Sequence, residues 1–214
     1  MTVTEAMRKR KSIRAFKPDA VDKSIMTEIL ETAARAPSWA NTQPWDVFVA
    51  TGETLERIRK AYAENYKNAA KGGIDIARPA QWPEAAKERT KQLGPDMARD
   101  CGDAAKQFLE LNQAMFNAPV VVFLCVDKLY SHWALYDLGA YAQSLMLLAE
   151  ERGLSTIAAI TAVTYPEVLR RELNIPDNLN VAIGIPLGYA DESNQINNFN
   201  SSRSPLSETV FYFE

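Results

Sequence analysis

The sequence predicts an α+β fold in which a small sheet is wrapped by many helices. Three observations point there. The segments run in the order helices, strand, helices, strand, helix, strand, helix, strand, strand. Residues 119–127, PVVVFLCVD, are continuously apolar and short, as a strand buried on both faces is. The helix from about 132 to 152 is apolar nearly all round, so it belongs at the domain centre or in a subunit interface.

Each element has its own signal. Residues 22–36 repeat apolar side chains at Ile25, Ile29, Ala33 and at Met26, Leu30, Ala34, the i, i+4 rows of a helix face. Asp22 is the expected N-cap, and Pro37 stops the helix. WDVFVA, 45–50, reads as a short strand. Helical spacing returns over 53–70 through Leu55, Ile58 and Tyr62. Residues 71–100 differ in character: Gly and Pro punctuate the first part, a polar helix-like piece follows, and Gly94-Pro95 ends it. They read as a surface excursion with short helices, suited to a lid or binding wall and equally to no role. A helix over 103–116 precedes the 119–127 strand, and the long apolar helix stops at Gly153. STIAAITAV, 155–163, and NVAIGIPLGY, 180–189, are further strands with a helix, YPEVLRREL, between them. ETVFYFE, 208–214, is the last strand. Being apolar at a chain end, it must dock, in its own sheet or in a partner's.

Composition narrows the class. The chain has 214 residues, 47% of them hydrophobic, which suits one domain, 1–214, with the excursion at about 71–100. With 24 basic and 27 acidic residues, the net charge of -3 gives no reason to expect nucleic acid. Two cysteines, Cys101 and Cys125, are too few for a disulfide framework and imply a reducing, cytoplasmic setting. The charged N-terminus lacks the apolar stretch of an export signal. The apolar helix carries Asp137, Gln143 and Ser144 and is short for a membrane span.

Common chemistries lack their residues. No His/Cys cluster has zinc spacing, and no metal is expected. The only histidine, His132, reads as a surface residue at a helix start, and no G-x-S-x-G elbow stands ready to serve it. Gly-rich nucleotide cradles are absent. Three features remain. RKRKSIRAF sets Arg8, Lys9, Arg10, Lys11 and Arg14 around Ser12, either a solvated basic arm or an anion site, since Arg forks and a hydroxyl suit phosphate oxygens. Arg203 in NSSRSPL is a second cation among small polar residues. APSWANTQPW, 36–45, is crowded for a turn between a helix and a strand.

Together RKSIRAFKPDAV and AARAPSWANTQPWDVFVA resemble the FMN-dependent nitroreductase family. DLGAYAQSLMLLAEERGLST, LNIPDNLNVAIGIPLGY and NNFNSSRSPLSE follow in the family's order and spacing. The tail resembles the branch of nitroaromatic and nitrobenzoate reductases. The resemblance covers nearly the whole chain apart from 71–100. It implies a nitroreductase-like fold with a small mixed, mainly antiparallel sheet, in an intertwined homodimer that holds FMN at the subunit interface. Arg10 and Ser12 would then face the phosphate and ribityl end, with Arg203 on the phosphate and Arg14 at the pyrimidine edge of the ring. Pro37, Ser38, Trp39 and Asn41 would come from the other chain, and Ala159, Ile160 and Thr161 would lie along the flavin. The family often carries a second cation where this chain has Ser201, a charge that Lys11 would restore. It also often has an acidic residue and Gly where Ile160 and Thr161 stand. No side chain is implied as a catalytic acid. The implied chemistry is ping-pong transfer from NADH or NADPH, as transient donors, to a small electron-poor aromatic such as a nitroaromatic or quinone. Trp39, Trp82 and Phe116 are candidate walls. Rival readings are reduction of enones or halogenated phenols, a flavin-binding scaffold or sensor without turnover, and a binder of anionic partners.

Overall fold

The strand Val120–Asp127 (β2) is the axis of the molecule, and all but its last residue are buried. The computed structural model describes residues 1–214. On one side β2 pairs with Asp46–Thr51 (β1), on the other with Leu179–Gly188 (β4), which in turn pairs with Ser155–Thr156 (β3). All three pairings are antiparallel, in the order β1-β2-β4-β3. The N-terminal arm adds a parallel bridge, Ser12 to Thr156, so the whole is mixed but mainly antiparallel.

Seven α-helices surround this sheet: Val3–Lys9 (α1), Lys23–Ala33 (α2), Gly52–Lys67 (α3), Glu84–Cys101 (α4), Phe108–Gln113 (α5), Trp133–Glu151 (α6) and Pro166–Leu173 (α7). Alternation along β2 decides which pack where. Val121, Phe123 and Cys125 face a core built with α3, α7, the arm residues Ile13 and Phe16, and Ala159 and Ala162. Val120, Val122 and Leu124 face the other core, with α2 and α6. A third, smaller cluster joins Ala15 of the arm to Met97 and Cys101 of α4 and to Ile196 and Phe199. Burial pushes the Cys125 thiol up to about 12.

Asp22 caps α2, its Oδ1 accepting the Ser24 N–H at 2.6 Å. Four expectations need correction. The strand over 155–163 is only two residues long. Beyond a single bridge from Ala159 to Gly184, the chain turns into a 3₁₀ segment, Ile160–Val163. The helix over 103–116 is three pieces: 3₁₀, α5 and 3₁₀. Met115, Phe116 and Asn117 there are left-handed in succession (φ 52°, 58° and 55°). Arg59 holds that turn by donating to the Ala114 and Ala118 carbonyls on either side of it. The excursion is one 18-residue helix, not several short ones, and α4 continues through Gly94-Pro95. It is exposed there, so water can satisfy the carbonyl that Pro95 leaves without a donor. The tail pairs with no strand of its own sheet: Phe211, Tyr212 and Phe213 are exposed.

Both ends of the excursion are anchored. Gly73 N–H donates to Thr164 O at 3.0 Å, and a Cβ on Gly72 would come 2.5 Å from Thr164 Cγ2. Asp75 accepts from Arg170 Nη2 and from Val181 N–H, each at 2.8 Å. Residues 77–95 are exposed apart from a half-buried Ala86.

Candidate functional site

The arm is positioned by sheet-like hydrogen bonding. Arg10 caps α1 with its N–H on Ala6 O, and Ile13 N–H donates to Thr156 O at 3.1 Å. Successive side chains of an extended segment point to opposite sides. Lys9, Lys11 and Lys17 line a cleft of about 350 Å³ with Glu150 and Glu192, and Arg10, Ser12 and Arg14 do not line it. In that cleft Lys9 pairs with Glu150 at 3.1 Å, and Lys11 Nζ donates to the Asn197 carbonyl.

Arg14 is the unusual member. Its guanidinium carbon sits 4.9 Å from the centre of the Phe199 ring and 5.9 Å from that of Phe108. Nη1 donates to Ser12 O at 2.8 Å, and the buried Nε has no partner. Burial lowers its affinity for the proton, with a small opposing contribution from Cys101. Arg10, Arg14 and Arg203 pair with no carboxylate, and neither do Arg8, Arg35, Arg78 and Arg89; what sets Arg14 apart is its partial burial together with its unpartnered Nε. A half-buried guanidinium with an uncommitted donor suits an anionic or carbonyl-rich ligand.

The segment 159–161 approaches the same region. Ala159 N–H donates to Gly184 O at 2.8 Å, and the buried Tyr62 hydroxyl donates to Ala162 O at 2.8 Å. Thr161 Oγ1 donates to Asn112 Oδ1. Asn112 and Phe108 are four residues apart on α5 and so share a helix face. That face meets Thr161 at one end and Arg14 at the other. Ile160 remains part-exposed beside them.

The loop 37–41 stands apart. Trp39 N–H donates to the buried Asp137 Oδ2 at 3.0 Å, which ties the loop to α6. Ser38 Oγ accepts from Gln43 N–H at 2.9 Å, and Asn41 Oδ1 accepts from Gln43 Nε2 at 3.2 Å. Ala40, Asn41 and Gln43 all have positive φ (50°, 58° and 46°), a conformation that costs energy for residues other than Gly. Pro37, Ser38 and Trp39 line an aromatic cavity of about 510 Å³ with Trp133, Tyr136 and Asp137. Asp137 and Glu150 lie 13 residues apart on α6, which is about 20 Å at 1.5 Å per residue. The loop and the arm thus meet one helix at well-separated points.

Arg203 is exposed, with Nη1 donating to Ser201 O, Ser201 Oγ and Ser202 O at 2.8–3.0 Å. Of the expected aromatic walls, Trp39 and Trp82 are 69% and 54% exposed, but Phe116 is 1% exposed and packs in the core, so it is no wall. His132 is exposed at the start of α6. Sequence reading missed Asn112, Asp137, Asn197 and Phe199. The only signal for them was their lying in segments already singled out, because their partners are remote in the chain.

Residues 7–189 match the family model described as Nitroreductase family. A chloronitrobenzene nitroreductase of Comamonas testosteroni is 32% identical, covering 99% of this chain and 97% of that protein. A nitrobenzene nitroreductase of Ectopseudomonas oleovorans is 33% identical over 99% and 97%. Among solved structures, the FMN and NADPH-dependent nitroreductase NfnB from Sphigopyxis sp. strain HMH superposes with a TM-score of 0.92 at 27% identity, covering 100% of each chain.

Proposed function

This chain belongs to the nitroreductase family, and on that premise we propose that it is an FMN-dependent oxidoreductase that uses NADH or NADPH to reduce nitroaromatic or quinone-like acceptors. The observation that carries this reading is Arg14: a half-buried, carboxylate-free guanidinium with an orphaned Nε, beside the Asn112–Thr161 pair. The donor set around it suits FMN. Arg10, Ser12 and Arg203 would hold the phosphate and ribityl end, with Lys11 adding charge from the far side of the arm. Arg14 would hold the pyrimidine edge, and Ala159, Ile160 and Thr161 would flank the ring. Bound FMN would supply the redox chemistry, taking hydride from the nicotinamide and passing electrons on to the acceptor in a ping-pong sequence.

Arg14 contributes a fixed positive charge, since guanidinium does not deprotonate in proteins. It favours negative charge at the ring edge, and so favours the reduced cofactor over the oxidised one. The exposed Trp39, Trp133 and Tyr136 offer flat apolar surface to an aromatic acceptor. The buried Asp137 holds the Trp39 backbone and so orients that surface.

Two features support a homodimer with shared sites. The first is the separation of about 20 Å along α6 between the loop and the arm, which a second copy would bridge by presenting its Pro37, Ser38, Trp39 and Asn41 to the arm of the first. The second is the exposed apolar tail, which suits the free edge of β1 in the partner's sheet. No helix is long and apolar enough to cross a membrane. Both thiols are free and buried, in keeping with a reducing, cytoplasmic setting. Within the chain's single domain, residues 77–95 are the portion of the excursion available to act as a lid.

The test begins with the colour of the purified protein. A yellow protein whose flavin bleaches anaerobically with NADH or NADPH, and recovers with nitrobenzene or menadione, is expected. A colourless protein that takes up no added FMN overturns the reading. Bound flavin that neither nicotinamide reduces identifies a scaffold without turnover.

A further inference from the structure

We propose that Asn197 and Phe199 are positioning residues that hold Arg14 where it sets the balance between reduced and oxidised flavin. The inference rests on the reading above that Arg14 meets the flavin. Asn197 is buried, and its side-chain amide uses all four of its hydrogen-bonding positions. Oδ1 accepts from the Arg14 N–H at 2.7 Å and from the Ala15 N–H at 3.1 Å. Nδ2 donates to Ala15 O at 2.8 Å and to Asp191 O at 2.9 Å. The arm has strand-like partners at Ser12 and Ile13, and one amide replaces such a partner at Arg14 and Ala15. The Asn197 carbonyl also takes the Lys11 ammonium, so the residue grips the arm at Lys11, Arg14 and Ala15.

Phe199 fixes the other end of the side chain. Its ring, 2% exposed, lies 4.9 Å from the guanidinium carbon, within the range of a cation–π contact. This support holds the cation without neutralising it. A carboxylate in the same place would fix Arg14 equally well and cancel its charge. Ring and amide belong to one short segment, which α4 backs through Met97 and Cys101. Deleting all of 71–100 would therefore remove the support of Arg14 along with any lid.

The distance dependence of Coulomb energy gives the size of the effect. If the guanidinium retreats by about 1 Å from a contact of about 4 Å, at an effective dielectric of about 20, the preference for the reduced cofactor falls about fourfold. For a two-electron couple that is about 18 mV.

The experiment uses the holoprotein and the reconstituted apoprotein. Phe199→Leu removes the ring face and keeps the burial apolar, and Asn197→Ser shortens the amide. Both are made with Arg14 present and with Arg14→Ala. The midpoint potential is measured, together with the affinity of the apoprotein for oxidised FMN. Each variant is expected to lower the potential by the equivalent of about fourfold when Arg14 is present, and to have no further effect in the Arg14→Ala background. If Arg14→Ala lowers the potential but Phe199→Leu does not, or if Phe199→Leu acts equally in both backgrounds, the positioning inference is overturned and the Arg14 reading stands. If Arg14→Ala itself leaves the potential unchanged, both fall. Should Asn197→Ser fail to take up FMN, Phe199→Leu alone decides.

Discussion

Gly184→Ala tests how the sheet positions the cofactor wall. A Cβ at Gly184 would lie 2.6 Å from Ala162 Cβ and 3.3 Å from the Phe123 ring. Carbon atoms make their best contact at about 3.5–4.0 Å, so about 1 Å must be found. Neither methyl has a rotamer to escape into, so the backbone of the turn Ile160–Val163 must move off β4. That motion loads the 2.8 Å bond from Ala159 N–H to Gly184 O. Overpacking of this kind costs about 1–3 kcal/mol. A chain of this size loses about 2–4 °C per kcal/mol, so Tm should fall by about 2–12 °C. FMN affinity should fall with it, because Ala159, Ile160 and Thr161 ride on that turn. Ala162→Gly removes the colliding methyl and alone should cost about 1.5 kcal/mol, from one buried methyl and the added backbone freedom of Gly. The double variant should therefore be less destabilised than the sum of the singles, by about 1 kcal/mol or more. Thermal melts of the apoprotein and FMN titrations measure both effects. Strict additivity, or an unchanged Tm in Gly184→Ala, would refute the steric account.

Other predictions are simpler. Removing residues 208–214 should yield a monomer by sedimentation that no longer retains FMN; a truncated dimer that keeps its flavin counts against the docked tail. Asp75→Ala should cost about 3 kcal/mol, because it leaves the part-buried Arg170 only the longer, exposed pairing with Asp177 at 3.8 Å and leaves the Val181 N–H without an acceptor, and urea melts would read it. Hydrogen bonds from the Ser24 hydroxyl and N–H hold the Asp22 carboxyl below its ordinary value. A depressed folded pKa contributes stability that is complete above the unfolded value, near pH 3.9, and is lost as pH falls through the folded one. Asp22→Asn keeps a cap but should remove this part of the acid sensitivity, as a flatter stability curve between about pH 5 and 2.

The elements legible in the sequence were those whose signal is local. The two apolar rows of α2, its Asp22 cap and the unbroken apolar run of β2 each reflect an environment that neighbours in sequence already imply. The 155–163 segment misled because short apolar residues suit a strand and a buried turn alike; past Thr156 the chain keeps one bridge, Ala159 to Gly184, and then turns so that Ala162 passes close over Gly184. The left-handed turn at Met115–Asn117 had no sequence mark, since what holds it is Arg59, more than fifty residues earlier. The site divides in the same way. Arg10, Ser12, Arg14 and Trp39 stood out through motif and composition. Asn197 and Asp137 looked like ordinary tail and helix residues, because their partners lie 183 and 98 positions away.

Helix α6 touches the loop side through Asp137 and the arm side through Lys9 on Glu150. It acts as a ruler whose graduations are residues. Adding or removing one residue between those points would shift one end by about 1.5 Å and rotate it by about 100° relative to the other. No side-chain adjustment absorbs a rotation of that size, so length changes inside α6 would break the registration of loop and arm. The exposed stretch 77–95 bears no such relation to either and can lengthen or shorten freely. Variation in length among chains of this design should therefore collect in the excursion, and the helix should keep its count.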